Sequence, residues 1–540
     1  MEETELEAKE IKESFLIKKT KRILFVFLIT LFVTQISFFI HAMSQSTDNW
    51  AIIFTKDNDA ANAIRLSQVS DWVTNNRYYN YGNLYFRISN TISKINPFIK
   101  IDGTNVFSEQ SDQTHHFILM LVSFLSMLGI SFLISYILTN SKTKFLISSI
   151  IINSIFMSIT YWIAKVLGVH PDLLLCFFVS LSIYYTAKYI SLKDDKILYF
   201  SGILWGLTLA IKLSALFYMP TLLLLFINKP FKQDNIIKAL KFFALIGLTF
   251  FIIGFPQNFE FNKIYEFVKY QSAFSIAPTM ESFNEWWFLL YRQYIPFLPF
   301  IFIIALFLSS KNNIKMNKIE LIKLFMISFI PFAFFLQRNI TSPHEHYTLP
   351  VVAGLLIFTS ILFINLKEYF SEQKKLDLDK NSLSISLIFT FLTVLILKLS
   401  PNVTNALLVK DLECRDESRE VYKIVKTYQS QKLKTHVDPY VPFSQALGFV
   451  RNNWFKEMSD IAPNNADVLV LSKKYYIRFL GEETHYLKQD TNRFNEVKKF
   501  YQAFYNKKLV KDVYNQQWEK VAEYSCGFEI WLRRNNLTSQ

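Results

Sequence analysis

The stretch FILMLVSFLSMLGISFLISYILT (117–139) decides the fold. It carries no charge and matches the ~20 apolar residues needed to cross a hydrocarbon core. Comparable runs recur from Ile23 to Leu399, more apolar surface than a soluble domain can hide. Composition agrees: of 540 residues, 51% are hydrophobic and 17% aromatic, with 54 Phe, and the mean hydropathy is +0.20. The sequence therefore predicts a polytopic α-helical membrane protein with about eleven spans. They lie at roughly 23–43, 116–139, 145–163, 171–190, 197–213, 214–228, 236–255, 294–309, 320–337, 347–364 and 382–399.

Charge orients these spans. About 21 Lys and Arg flank the ends that share a side with Lys18, Lys19, Lys21 and Arg22, against about six in the opposing short loops. The N-terminal tail (1–22) is thus expected in the cytoplasm. The span after it lacks a small-residue cleavage site and reads as a retained anchor. The formal charge of +14 sits largely between apolar runs, so it reports topology and not nucleic-acid binding. The run 197–228, interrupted by Lys212, is flanked by KDDK (193–196) and KPFK (229–232), so it should go out and return, turning near Lys212 and Ser214. An odd span count puts the loop 44–115 and the tail 400–540 outside, with 23–399 as the membrane domain. The setting that fits is a bacterial inner membrane.

The tail alternates helical patterns (414–428, 494–506) with strand-like ADVLVLS (466–472) and FEIWLRR (528–534), which predicts a small extracytoplasmic α/β domain. Of the three cysteines, Cys176 falls inside a span as a small packing residue. Cys414 and Cys526 both fall in the tail, where an oxidising compartment could join them.

Ionisable groups near a hydrocarbon slab are costly, and four clusters need explanation. Asp57 and Asp59 open an amphipathic stretch, AANAIRLSQVSDW (60–72). Two carboxylates one residue apart can hold a divalent ion or supply a base, or Asp59 can simply cap the helix. His170-Pro171-Asp172 stands where a span begins, and capping is again the plain alternative for Asp172. Lys212 needs snorkelling room or an anionic partner, such as a phosphate. RNITSPHEHYTLP (338–350) gathers Arg338, His344, Glu345, His346 and Tyr347, a set suited to phosphate, to a metal ion or to lipid headgroups. All four clusters fall on the outer face.

With these residues the chain resembles the GT-C glycosyltransferases, in particular the branch of protein O-mannosyltransferases and lipid A aminoarabinose transferases. Asp57 and Asp59 are similar to the family's paired acids in the first outer loop. YGNLYFRIS (81–89) resembles its aromatic stretch, keeping Leu84 and Tyr85 but not the prolines. PDLLLCFFVSLSIYY (171–185), GLTLAIKLSALFYMP (206–220) and Arg338 with HYTLP (346–350) are similar to later family elements, in the same order.

The resemblance implies an inverting transfer of a sugar from a polyprenyl-phosphate donor to a glycan, lipid or protein acceptor. It assigns Asp59 or Asp57 as base, and Asp172 and His170 to orient the acceptor. A divalent metal ion, if used, would be held by Asp57, Asp59 and Asp172. Lys212, Arg338, His344 and His346 would bind the donor phosphate, and Tyr85 and Tyr347 would line the cavity. Alternatives of other kinds are a transporter or lipid-linked oligosaccharide flippase, and an O-antigen or wall-glycan ligase or polymerase.

Overall fold

The computed structural model describes residues 83–95, 109–139, 141–159, 170–227, 233–254, 280–307, 314–337, 345–372, 412–438, 450–451, 466–473, 491–512, 515–525 and 527–534, with isolated positions between them. The expected spans 23–43 and 382–399 and the greater part of the loop 44–115 lie outside the described residues.

The first described part is a helical bundle. Its helices are α1 (Asn83–Ile95), α2 (Glu109–Leu138), α3 (Lys142–Ser158), α4 (Asp172–Leu192), α5 (Asp195–Ile211), α6 (Gln233–Ile253), α7 (Met280–Tyr294), α8 (Leu298–Phe307), α9 (Lys318–Gln337) and α10 (Glu345–Glu372). Five segments among the described residues are long and apolar enough to cross a membrane: Thr114–Leu138, Asp172–Leu192, Gln233–Ile253, Trp286–Leu306 and Thr348–Tyr369. This is a polytopic membrane architecture with fewer clear spans than the eleven expected. Two of the expected spans fall on α3 and α5, each 17 residues long. At 1.5 Å per residue such a helix covers about 25 Å, short of a ~30 Å core.

The bundle has two unlike ends. At one, Lys193 pairs with Glu320 and Lys238 with Asp195, both at 2.8 Å. Asp194 caps α5 by accepting from the Lys196 N–H, and Lys193 takes the left-handed conformation (φ 55°) that reverses the chain. We call this the charged end. At the other end, Ser89 on α1 meets His115 on α2 at 3.2 Å, and Thr348 on α10 donates to Gln293 on α7 at 2.5 Å. From the charged end α5 runs to Lys212, whose extended backbone (φ −158°, ψ 130°) turns the chain. The short helical segment Leu213–Leu225 then runs back, and the Ile227 carbonyl accepts from Lys323 Nζ at the charged end (2.8 Å). The out-and-back path expected for 197–228 is the path observed.

α4 and α5 are zipped by small polar side chains. Ser182 meets Thr208 at 3.2 Å, Thr186 meets Ser201 at 2.9 Å, and Trp205 Nε1 donates to Thr186. Between apolar surfaces such bonds supply the glue that hydrophobicity does not. The opposite side of α5 presents Gly202 and Gly206, four residues apart, to α6. A Cβ on Gly206 would lie 2.5 Å from Thr249 Cβ and 2.7 Å from the Ile246 carbonyl oxygen. Only glycine admits that approach.

The tail carries a small mixed α/β sheet, with more strands than the sequence pattern suggests. α11 (Leu412–Ser430) and α12 (Thr491–Phe504) flank a sheet of β1 (Thr435–Val437), β2 (Val450–Arg451), β3 (Val468–Ser472), β4 (Leu509–Lys511), β5 (Gln517–Glu523) and β6 (Phe528–Arg533). The order is β2-β1-β3-β6-β5-β4, with β1 parallel to β2 and β3 and the remaining pairs antiparallel. Strand alternation splits the core. Val468 and Val470 pack with Val421 and Val425 of α11, while Leu469 and Leu471 pack with Phe500, Tyr501 and Phe504 of α12.

Gly206→Ala is expected to lower the thermal stability of the detergent-solubilised protein by about 1–3 kcal/mol, the usual cost of overpacking. Gly247→Ala, where an added Cβ meets nothing within 4 Å, should be neutral or stabilising.

Candidate functional site

The end of the bundle opposite the charged end holds the groups that the sequence analysis singled out and that fall among the described residues. Pro171 fixes the entry to α4, and Asp172 is its first residue. A negative charge there complements the helix dipole. The N-cap is Pro171, which has no side-chain acceptor, and the Asp172 carboxylate is engaged by other side chains. Its Oδ1 accepts from Lys212 Nζ at 2.7 Å, and its Oδ2 contacts His170 Nδ1. All three side chains are buried, at 1%, 0% and 1% exposure for His170, Asp172 and Lys212. Capping alone therefore does not describe Asp172, and snorkelling does not describe Lys212. The anionic partner that the lysine required is Asp172.

Local structure makes this possible. The turn at Lys212 ends α5 beside the start of α4, so the lysine stem need not reach along either helix. A buried pair of this kind is costly to desolvate, and apolar residues of like volume often serve stability as well or better. Its presence at one end of a bundle of apolar helices makes it the candidate functional site.

Tyr85 stands close by. It is fully buried, and its hydroxyl lies 3.3 Å from Ser123 Oγ and 3.4 Å from the Leu119 carbonyl oxygen. Burial raises its phenol well above the ordinary range, and the Asp172 charge adds to the rise. The bond from Ser89 to His115 docks α1 here, and His116 is buried next to it. The sequence analysis did not single out these two imidazoles. The signal was the pair of histidines directly before the apolar run at 117, where two imidazoles meet a hydrocarbon boundary. Cys176, one turn into α4 from Asp172, is buried as a free thiol, in keeping with a packing role.

Other expected site residues are not brought together by described geometry. Asp57, Asp59, Arg338 and His344 lie outside the described residues. His346 and Tyr347 belong by backbone to the first turn of α10, and their side chains are not described. Thr348 beside them is bonded to Gln293, so α10 begins at this same end. Among the described residues no group of three or more His, Cys, Asp and Glu side chains gathers to hold a metal ion. Asp172 is a poor fit for that task, since an ammonium at 2.7 Å already occupies one oxygen and repels a second cation.

Residues 98–257 match the family model described as dolichyl-phosphate-mannose-protein mannosyltransferase. The matched segment takes in α2 to α6, and with them His170, Asp172 and Lys212. The resemblance to GT-C membrane glycosyltransferases seen in the sequence thus holds over this segment. No curated protein matches the chain.

Removing one partner of the pair leaves a buried charge without its counter-ion. Asp172→Asn and Lys212→Met should each cost about 3–5 kcal/mol in thermal or denaturant unfolding. The double variant is expected to cost clearly less than the sum of the two, and a double-mutant cycle measures that coupling.

Proposed function

We propose that the protein is an inverting glycosyltransferase that moves a sugar from a polyprenyl-phosphate donor to an acceptor hydroxyl at the outer face of a bacterial inner membrane. The N-terminus would lie in the cytoplasm and the tail domain outside. The observation that carries this reading is the buried Asp172–Lys212 pair, with His170 on the second carboxylate oxygen, inside the segment that matches the mannosyltransferase family.

In the reaction, the acceptor oxygen attacks the anomeric carbon from the side opposite the phosphate. The bond from that carbon to the phosphate oxygen breaks, and polyprenyl phosphate leaves as a monoester. The acceptor proton passes to a carboxylate, for which Asp59 or Asp57 is the assigned base. A phosphate monoester needs little acid assistance, but its growing negative charge needs fixed cations. Lys212 is assigned that task together with Arg338, His344 and His346. Asp172 aims the Lys212 ammonium, and His170 fixes Asp172 in turn. Tyr85 and Tyr347 would wall the cavity. A divalent ion held by Asp57 and Asp59 would add Lewis-acid stabilisation of the phosphate oxygens. The donor's lipid tail would stay among the apolar helices, so that reaction is largely a matter of positioning.

Asp59→Asn is expected to lower turnover by about 10²–10⁴-fold while the protein stays inserted and stable, with Asp57→Asn as the paired variant. The assay is sugar transfer from polyprenyl-phosphate-linked sugars by purified protein in vesicles, with glycolipid analysis of a deletion strain to identify the sugar. Full activity in both variants would remove the first-loop base. Movement of the lipid-linked sugar across the vesicle without bond cleavage would replace transfer by translocation.

A further inference from the structure

One helix of the tail meets one hairpin turn at a fixed point. The face that α11 turns to the sheet is a stripe at helical spacing. Val421 and Val425 are fully buried against Val468, Val470, Phe528 and Ile530, and Tyr428 continues the line. One turn toward the N-terminus stands Glu417, and Cys414 comes three residues before it in sequence. Residues three and four apart share a helix face, with Cβ atoms about 5–6 Å apart.

Glu417 does not point into solvent alone. Its Oε1 accepts from Ser525 Oγ at 2.6 Å and from the Ser525 N–H at 3.1 Å. Ser525 belongs to the turn between β5 and β6, which the Gly527 N–H closes onto the Tyr524 carbonyl at 2.9 Å. Gly527 has φ +85°, the left-handed conformation that favours glycine at a turn. Tyr524 packs with the α11 face, and its phenol is pushed up to about 12 by burial, with the charges of Glu420 and Glu417 adding to the rise. Helix and turn are thus joined at Glu417 and Ser525, and the next residue after Ser525 is Cys526.

We infer that Cys414 and Cys526 are joined by a disulfide that staples the start of α11 to the β5–β6 turn. Cys414 is three residues before Glu417 in the same helix and Cys526 is one residue past Ser525; the Cys414 side chain and the whole of Cys526 lie outside the described residues. A disulfide requires Cα atoms about 4.4–6.8 Å apart, which is the separation the inferred link demands of the two cysteines flanking this contact. The two thiols give up two protons and two electrons by exchange with a disulfide-bearing oxidant of the thiol–disulfide oxidoreductase class, whose disulfide becomes a dithiol. Such oxidants act outside the cytoplasm, which is where the proposed topology puts the tail. The staple closes a long loop that takes in β1 to β5 and ends just before β6, so it restrains the unfolded tail strongly. It is independent of sugar transfer, and its failure would leave that reading standing.

The chain has three cysteines, which makes the test a count. Full-length protein in membranes is denatured in detergent with a maleimide and no reductant, then its mass is measured before and after reduction and relabelling. The expected result is label on Cys176 alone before reduction and on all three cysteines after it. A non-reducing digest should contain the Cys414 peptide linked to the Cys526 peptide, and Cys414→Ser should expose Cys526 to label without reductant. Label on all three cysteines before reduction, or a link from Cys414 or Cys526 to another chain, overturns the inference. As a second measure, reductant should lower the melting temperature of the wild type and leave that of the Cys414→Ser/Cys526→Ser double variant unchanged. An equal shift in both proteins would also overturn it.

Discussion

The ion pair between Asp172 and Lys212 is the constraint on which the rest of the bundle depends. Both charges are withdrawn from solvent, so each is tolerable only while the other is in place. That requirement ties the first residue of α4 to the residue just past the end of α5. With this joint set, the register of the two helices follows, and Ser182, Thr186, Ser201, Trp205 and Thr208 find partners along the shared seam. On its far side α5 must approach α6 at Gly202 and Gly206, where the built contacts leave no space for a side chain on Gly206. One buried pair thus fixes the placement of three consecutive helices.

The sequence made the apolar helices legible because a span is a local property, visible in any window of its length. The reversal at Lys212 was legible for a similar reason, from the basic flanks on either side of 197–228. The pairing itself was not. Asp172 and Lys212 are 40 residues apart, and no local rule relates them. An acid that opens a helix looks like a cap wherever it occurs, and only the packed structure shows its carboxylate turned away from the backbone. The strands of the tail divide in the same way. β3 and β6 carry five and six residues and were visible as apolar runs, whereas β1 and β4, with three each, are too short for a period to register, and β5, with seven, is too polar and too exposed to stand out.

The two ends of the bundle differ in what their charges do. At the charged end, Lys193, Glu320, Lys238 and Asp195 are partly open to solvent, and such pairs contribute little to stability. They close helix ends and answer the left-handed turn at Lys193. At the other end the charges are sealed, the histidines are buried and a tyrosine hydroxyl faces a serine. Only the second arrangement offers fixed dipoles in a low-dielectric setting, where electrostatic effects on a reacting group are large.

The tail buries a carboxylate as well. Asp438 has no exposure, and its oxygens accept from the Tyr501 hydroxyl and the Ser472 N–H, both at 2.8 Å. Asp172 instead brings in an ammonium, whose own desolvation must also be offset. In the proposed reaction that cost has a return. A free lysine carries up to about 2 kcal/mol of rotamer entropy, lost when it is held to a ligand. Held by Asp172, Lys212 has already lost that freedom on folding, so a phosphate arriving beside it meets a donor fixed in advance. Asp172 then acts by holding the cation still, which is a different task from that of a base and calls for the burial observed.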